Sequence, residues 1–109
     1  MPAFQPAKLL RIHISESDRR QGKPLYEAIV NKCREHKMAG VTVFRGLEGF
    51  GETAQIHRSH LGRHEEPILI TVIDSAEKID ALIPALEPML ETGLMAVSGV
   101  RVIRLEKKE

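Results

Sequence analysis

Pro67 to Asp74 reads PILITVID, a strand-forming run of six residues from Ile68 to Ile73 closed by an aspartate. Unbroken apolarity of this kind suits a central strand covered on both sides, whereas a half-buried strand alternates. Downstream, Asp74 or Ser75 is placed to cap a helix, with Glu77 three residues after Asp74 in a capping-box relation. Ile79, Leu82, Ile83, Leu86 and Leu90 then keep helical spacing, so one helix face is buried. Pro84 and Pro88 oppose this pattern. Each removes a backbone donor at about 3 kcal/mol in a helix interior, which predicts a kink between Asp80 and Pro84 or two short helices. Beyond Thr92-Gly93, Leu94 to Val97 and Val100 to Leu105 form a last strand, expected to break at Ser98-Gly99, before a solvated EKKE tail.

Upstream of the PILITVID run lies a connection, Gly46 to Glu66, with glycines at 46, 49, 51 and 62. It is too long for an ordinary hairpin loop and is read as a functional or mobile segment. Val41 to Arg45 (VTVFR) precedes it as a β-branched strand. Before that, Leu25, Ala28, Ile29 and Cys33 fall at helical spacing behind Pro24, and Lys32, Arg34, His36 and Lys37 crowd the last turn ahead of Gly40. The first strand is Ala7 to Ile14, with Leu10, Ile12 and Ile14 on one face and Leu9, Arg11 and His13 on the other.

The element order is βαβ, connection, βαβ. Two such split units pack most simply as an α+β, ferredoxin-like domain: a four-stranded antiparallel sheet with both helices on one face. Leu9, Phe44 and part of the ILITV run would then lie on the uncovered face, which calls for neighbouring subunits in a closed oligomer. The 109 residues leave room for one domain, 1–109. Sixteen Lys and Arg against 15 Asp and Glu give a net charge of +1, without the basic excess of a nucleic-acid module. One cysteine excludes an intrachain disulfide. No secretory signal and no apolar run of about 18 residues is visible, so the expected location is the cytoplasm.

Candidate chemistry concentrates in a few places. In Arg45 to Gly51 (RGLEGFG) the glycines at 46, 49 and 51 allow bare backbone amides to wrap an anion, as against a plain flexible loop stem. It is not a dinucleotide fingerprint, because the glycine order is wrong and no helix follows. Arg101 and Arg104 flank the last strand, and Arg11 lies on its neighbour. Guanidinium forks suit phosphate, but three residues apart on an unbroken strand they face opposite sides, so one of the two reaches a given pocket. His57, His60 and His64 would share a face if their segment were helical and would then suit zinc, copper or nickel, although Arg58 and Arg63 oppose a cation. Glu16, Ser17 and Asp18 read as turn formers, and Cys33 sits on a buried helix face. No nucleophile, base and orienter occur together, so no enzyme activity is expected.

KLLRIHISESD (Lys8 to Asp18), GKPLYEAIV (Gly22 to Val30), AGVTVFRGLEGFG (Ala39 to Gly51) and GVRVIR (Gly99 to Arg104) together resemble the PII-like proteins grouped as domain of unknown function 190. The resemblance covers nearly the whole chain. It implies a homotrimer with its sheets turned inward, and a connection 46–66 equivalent to the T-loop of PII signal proteins. It also implies inter-subunit clefts for an adenine nucleotide such as ADP, AMP or ATP, with no cofactor required. On that likeness Gly46, Gly49 and Gly51 form the loop stem, Thr92 and Gly93 the second loop, and Arg101 or Arg104 the basic strand position. The second loop lacks the usual Gly-Lys and the T-loop lacks the tyrosine that is uridylylated in some PII proteins. A membrane transporter or another regulated protein is the implied partner. Two other readings stand beside this one: a metal-responsive protein using the loop histidines, and a ligand-free trimeric scaffold.

Overall fold

The computed structural model describes residues 3–46, 48–50, 56–60, 63–64 and 66–106, with backbone alone for 48–50, 56–60 and 63–64. Its principal elements are β1 (Gln5–Ser15), α1 (Leu25–Glu35), β2 (Val41–Arg45), β3 (Pro67–Asp74), α2 (Ala76–Leu86) and β4 (Leu94–Val102). The sheet order is β2-β3-β1-β4 with antiparallel pairing throughout, which is the ferredoxin-like α+β arrangement expected from the sequence. The chain thereby brings its first and last strands together, pairing Arg11 with Ala96 and Leu10 with Val97.

Both helices cover one face of the sheet. Leu10, Ile12 and Ile14 of β1 and Ile68, Ile70 and Val72 of β3 meet Leu25, Ile29 and Cys33 of α1 and Ile79, Leu82 and Leu86 of α2 in one apolar core. The opposite face carries Leu9, Arg11 and His13 of β1, whose register partners on β3 are Ile73, Thr71 and Leu69. Phe44 and Ile73, both odd to the core residues of their strands, stand 51% and 44% exposed, and Leu94 on β4 is 60% exposed. No residue among the described core is polar or charged, so the core gains nothing from ion pairing and everything from apolar burial.

Four local features depart from the sequence reading. Helix α1 stops at Glu35, before Gly40, because Lys37 takes the left-handed conformation (φ 58°) and closes the end with Met38 N–H to Cys33 O and Lys37 N–H to Arg34 O. Ser75, rather than Asp74, caps α2 and accepts from Lys78 N–H at 3.3 Å, so the box with Glu77 does not form. Helix α2 runs through Pro84 and ends in a 3-10 turn, Glu87–Met89, that contains Pro88. Asp80, four residues before Pro84, is exposed, so water can take up the carbonyl that the proline leaves without a donor. Strand β4 is continuous through Ser98-Gly99, which pair with Leu9 and Lys8, and it ends at Val102 rather than Leu105. The connection also contains short strands, Glu48–Phe50 paired with Ile56–His60, and His60 paired with Arg63. The expected EKKE tail begins at Glu106, and residues 107–109 lie outside the described residues.

Candidate functional site

The candidate residues fall at two opposite ends of the sheet. At the end where β1 and β2 finish and β3 begins, the root of the connection is built from backbone contacts. Gly46 N–H donates to Pro67 O at 2.7 Å, and Glu16 N–H donates to Glu66 O at 2.9 Å. A Cβ on Gly46 would lie 2.8 Å from the Pro67 ring, so the strands can approach this closely only with glycine there. Arg45, the last residue of β2, places Nη1 2.8 Å from Oε2 of Glu16.

The loop between α2 and β4 reaches the same end. Gly93 has φ 121°, and a Cβ there would meet the His13 carbonyl oxygen at 2.8 Å. Thr92 lines a small cleft of about 170 Å³ with Ser17, Asp18, Arg19 and Glu91. The turn after β1 that forms the other wall is held by its own polar side chains: Asp18 Oδ2 accepts from Ser15 N–H at 2.8 Å, and Arg19 donates to Glu16 O at 2.9 Å. Glu16, Ser17 and Asp18 therefore act as turn formers, as their sequence suggests. Gly46, Thr92 and Gly93 are brought to one end. Gly49 belongs to the strand Glu48–Phe50, and Gly51 lies outside the described residues.

The far end has a different construction. A concavity of about 910 Å³ opens on the uncovered sheet face, floored by Thr42, Thr71 and Ile73 and walled by the segment after β4. Asp74 and Arg104 stand at its edge. The Asp74 carboxylate accepts from Ala39 N–H at 2.9 Å and Ser75 N–H at 2.7 Å. Burial alone would raise its pKa, but those two amides and the charges of Lys78 and Arg104 outweigh it and hold the group below the ordinary value of 3.8. Arg104 thus lines the cavity from beyond the strand end. Arg101, on the strand itself, instead lies over the Phe4 ring, 5.4 Å from its centroid. The two arginines serve different surroundings, but because Arg104 lies past the strand end at Val102, strand alternation is not what parts them.

Strand β3 measures the separation of the two ends. Gly46 bonds to its first residue, whereas Arg104 acts on its last. Seven steps of strand at roughly 3.3 Å each put the positions of β3 that the two groups engage about 23 Å apart in one chain. The sequence reading missed Arg45 and Glu16 as a pair. The turn and the strand end that hold them are distant in sequence, and only the sheet register brings them together.

The other expectations are located as follows. His57 and His60 sit in the strand Ile56–His60 and His64 in Arg63–His64, so the helical spacing that would align them does not apply, and their side chains lie outside the described residues. Among the described residues no group of three or more His, Cys, Asp or Glu could hold a metal ion. Cys33 is buried, and that burial pushes its thiol up to about 11, which leaves it unreactive at neutral pH. Among the described residues no helix is long and apolar enough to cross a membrane.

Comparison with known proteins places this architecture. The DUF190 family model, described as "Uncharacterized ACR", matches residues 7–102. A UPF0166 protein of Aquifex aeolicus is 35% identical over 100 residues, covering 90% of this chain and 94% of that protein. Among solved structures, CPII of Thiomonas intermedia K12 bound to ADP and bicarbonate superposes with a TM-score of 0.73 at 21% identity, over 94% of this chain and 93% of that one. CPII bound to ADP, AMP and bicarbonate, named a nitrogen regulatory PII-like protein, gives a TM-score of 0.74 at 20% identity, over 94% and 92% of the two chains. At these identities the CPII structures establish a shared fold.

Proposed function

The chain belongs to the DUF190 family and has the PII-like fold, and on that premise we propose that it is a regulatory protein that binds an adenine nucleotide between subunits of a homotrimer. The observation that carries this reading is the two-ended distribution of the candidate groups. Gly46, Thr92 and Gly93 offer backbone at one end of the sheet, and Arg104 offers a guanidinium at the other. A phosphate chain cannot span the separation within one copy. The cleft of about 170 Å³ beside Thr92 is also too small for a nucleotide, for which pockets of roughly 300–1,000 Å³ are usual.

A neighbour that packs its uncovered sheet face against the first supplies what is missing. Phe44, Ile73 and Leu94 lose their contact with water, and the arginine-bearing end of one copy lies against the glycine-rich end of the next. The nucleotide then sits with its phosphates among backbone amides and the neighbour's Arg104, and it favours one arrangement of the connection 46–66. That connection meets the regulated partner, a membrane transporter or another protein. Its effect depends on differential affinity: a tenfold preference for one arrangement shifts the balance by about 1.4 kcal/mol. The CPII structures in complex with ADP support the choice of ligand class. On this reading the protein works in the cytoplasm and acts by binding, without catalysis.

Light scattering and calorimetry against ATP, ADP and AMP test this. Three copies per particle and binding of at least one nucleotide are expected, with affinity lowered about tenfold by Arg104→Ala, the loss of one charged hydrogen-bonding group. A single particle of 12.2 kDa at micromolar concentration would overturn it.

A further inference from the structure

The Glu16 and Arg45 pair joins the end of β1 to the root of the connection, and its geometry is lopsided. Only Oε2 of Glu16 meets the guanidinium, at 2.8 Å from Nη1. The second oxygen, Oε1, is buried and has no hydrogen-bond partner among the described residues. The Glu16 side chain is 15% exposed, whereas that of Arg45 is 48% exposed. One oxygen of the carboxylate is thus kept out of water without a hydrogen bond among the described residues, while the cation opposite it stays half open to solvent. A pair fitted for stability would engage both oxygens in a fork-to-fork contact.

The neighbourhood explains what such a pair can do. Arg45 directly precedes Gly46, whose amide holds Pro67, and the backbone of Glu16 itself holds Glu66. Residue 66 is therefore tied directly to the segment that carries the carboxylate, residue 46 is tied to Pro67 next to it, and the Arg45 side chain is what links the residue-46 root to Glu16. An anion that reaches this end meets a half-exposed guanidinium whose partner among the described residues is a single carboxylate oxygen.

We propose that Arg45 is an anion-binding residue of the inter-subunit site and that Glu16 is its built-in competitor. Phosphate oxygens take Arg45 from Glu16, and ligand binding thereby cuts the side-chain tie between β1 and the root of the connection. The inference rests on the nucleotide reading for the identity of the ligand, although the clasp itself requires only phosphate chemistry. It assigns the coupling between ligand and connection to one exchange of ion-pair partners. The connection responds because its anchor and the ligand want the same cation.

The test uses the full-length protein, with side-chain NMR of the Arg45 guanidinium and calorimetry in parallel. Inorganic pyrophosphate and ADP are titrated into the wild type, Glu16→Gln, Arg45→Ala, Arg45→Lys and the double variant E16Q/R45A. Glu16→Gln should tighten binding about fivefold, since an intramolecular competitor of salt-bridge strength has been removed. Arg45→Ala should weaken it roughly tenfold, and the double variant should bind no better than Arg45→Ala alone. Arg45→Lys keeps the charge and serves if the alanine variant does not fold. Pyrophosphate that moves the Arg45 resonance while ADP binds to no variant supports the clasp and refutes the nucleotide reading. Glu16→Gln that leaves affinity unchanged or weaker, or tightens it equally with Arg45 absent, overturns the clasp, as does an Arg45 resonance that neither anion moves.

Discussion

The two faces of the sheet are made from the same strands yet are in opposite states. On the helix side Leu10, Ile12, Ile70 and Val72 are fully buried against Ile29, Ile79 and Leu82. One residue along each strand, Leu9, Phe44 and Ile73 project from the other side, and Phe44 and Ile73 are exposed. Folding of one chain satisfies the first face and leaves the second unsatisfied. The difference separates two kinds of apolar residue that look alike in sequence, those that specify the fold and those available to a neighbour.

Substitution on the first face should produce the largest effect. Leu82→Ala removes a fully buried side chain between α2 and the sheet, and a loss of about 2–5 kcal/mol is expected in chemical denaturation. The same truncation on the uncovered face should cost far less within a subunit and show itself in assembly. Phe44→Ser is expected to preserve the far-ultraviolet spectrum while moving the light-scattering mass toward one copy, because about 1.5–3 kcal/mol of apolar burial per subunit is lost from the interface. If Phe44→Ser instead unfolds the chain, the two faces do not divide their work in this way.

The faces were legible in the sequence because strand periodicity is a local property. Val41–Arg45 and Pro67–Asp74 fall where the β-branched runs placed them, and the pairing of β1 with β4 followed from the element order. The ends of elements were less legible. Helix α1 is closed by Lys37 in a conformation usually left to glycine, and Ser75 prevails over Asp74 as cap because Asp74 is engaged with Ala39, 35 residues away. Likewise the alternation expected of Arg101 and Arg104 assumed a strand running to Leu105, whereas it ends at Val102, and local spacing could not show that one goes to Phe4 and the other lines the cavity. The Glu16 and Arg45 pair had no local signature, being made by register across the sheet.

The glycine-rich end tests whether that register is enforced by backbone contact. Gly93 combines φ 121° with a would-be Cβ 2.8 Å from the His13 carbonyl oxygen, which is backbone and cannot swing aside. Gly93→Ala should therefore cost about 1–3 kcal/mol through strain and displacement of β4 from β1. Gly40→Ala is the control, because a Cβ there meets nothing within 4 Å and φ is not in the left-handed region. Equal stability of the two variants would show that the end is looser than its contacts imply.

Asp74 provides the smallest and most specific test, at the far end of the same strands. Its carboxylate accepts from the amides of Ala39 and Ser75, and its pKa lies below the ordinary 3.8 in the folded chain. A carboxyl depressed on folding stabilises the native state fully above its unfolded pKa and loses that contribution as pH falls through the folded value. Asp74→Asn keeps one accepting oxygen but turns an amide donor toward the other N–H, so a loss of about 0.5–1.5 kcal/mol is expected at pH 7. The gap between wild type and variant should stay constant down to about pH 4 and narrow below it, since protonation then deprives the wild type of the same acceptor. Urea unfolding at pH 7, 4.5, 3.5 and 2.5 measures the gap directly. A difference that does not change over this range would mean that the two amides are held by shape alone, and that the charge of Asp74 adds nothing to the joint between β3, α2 and the start of β2.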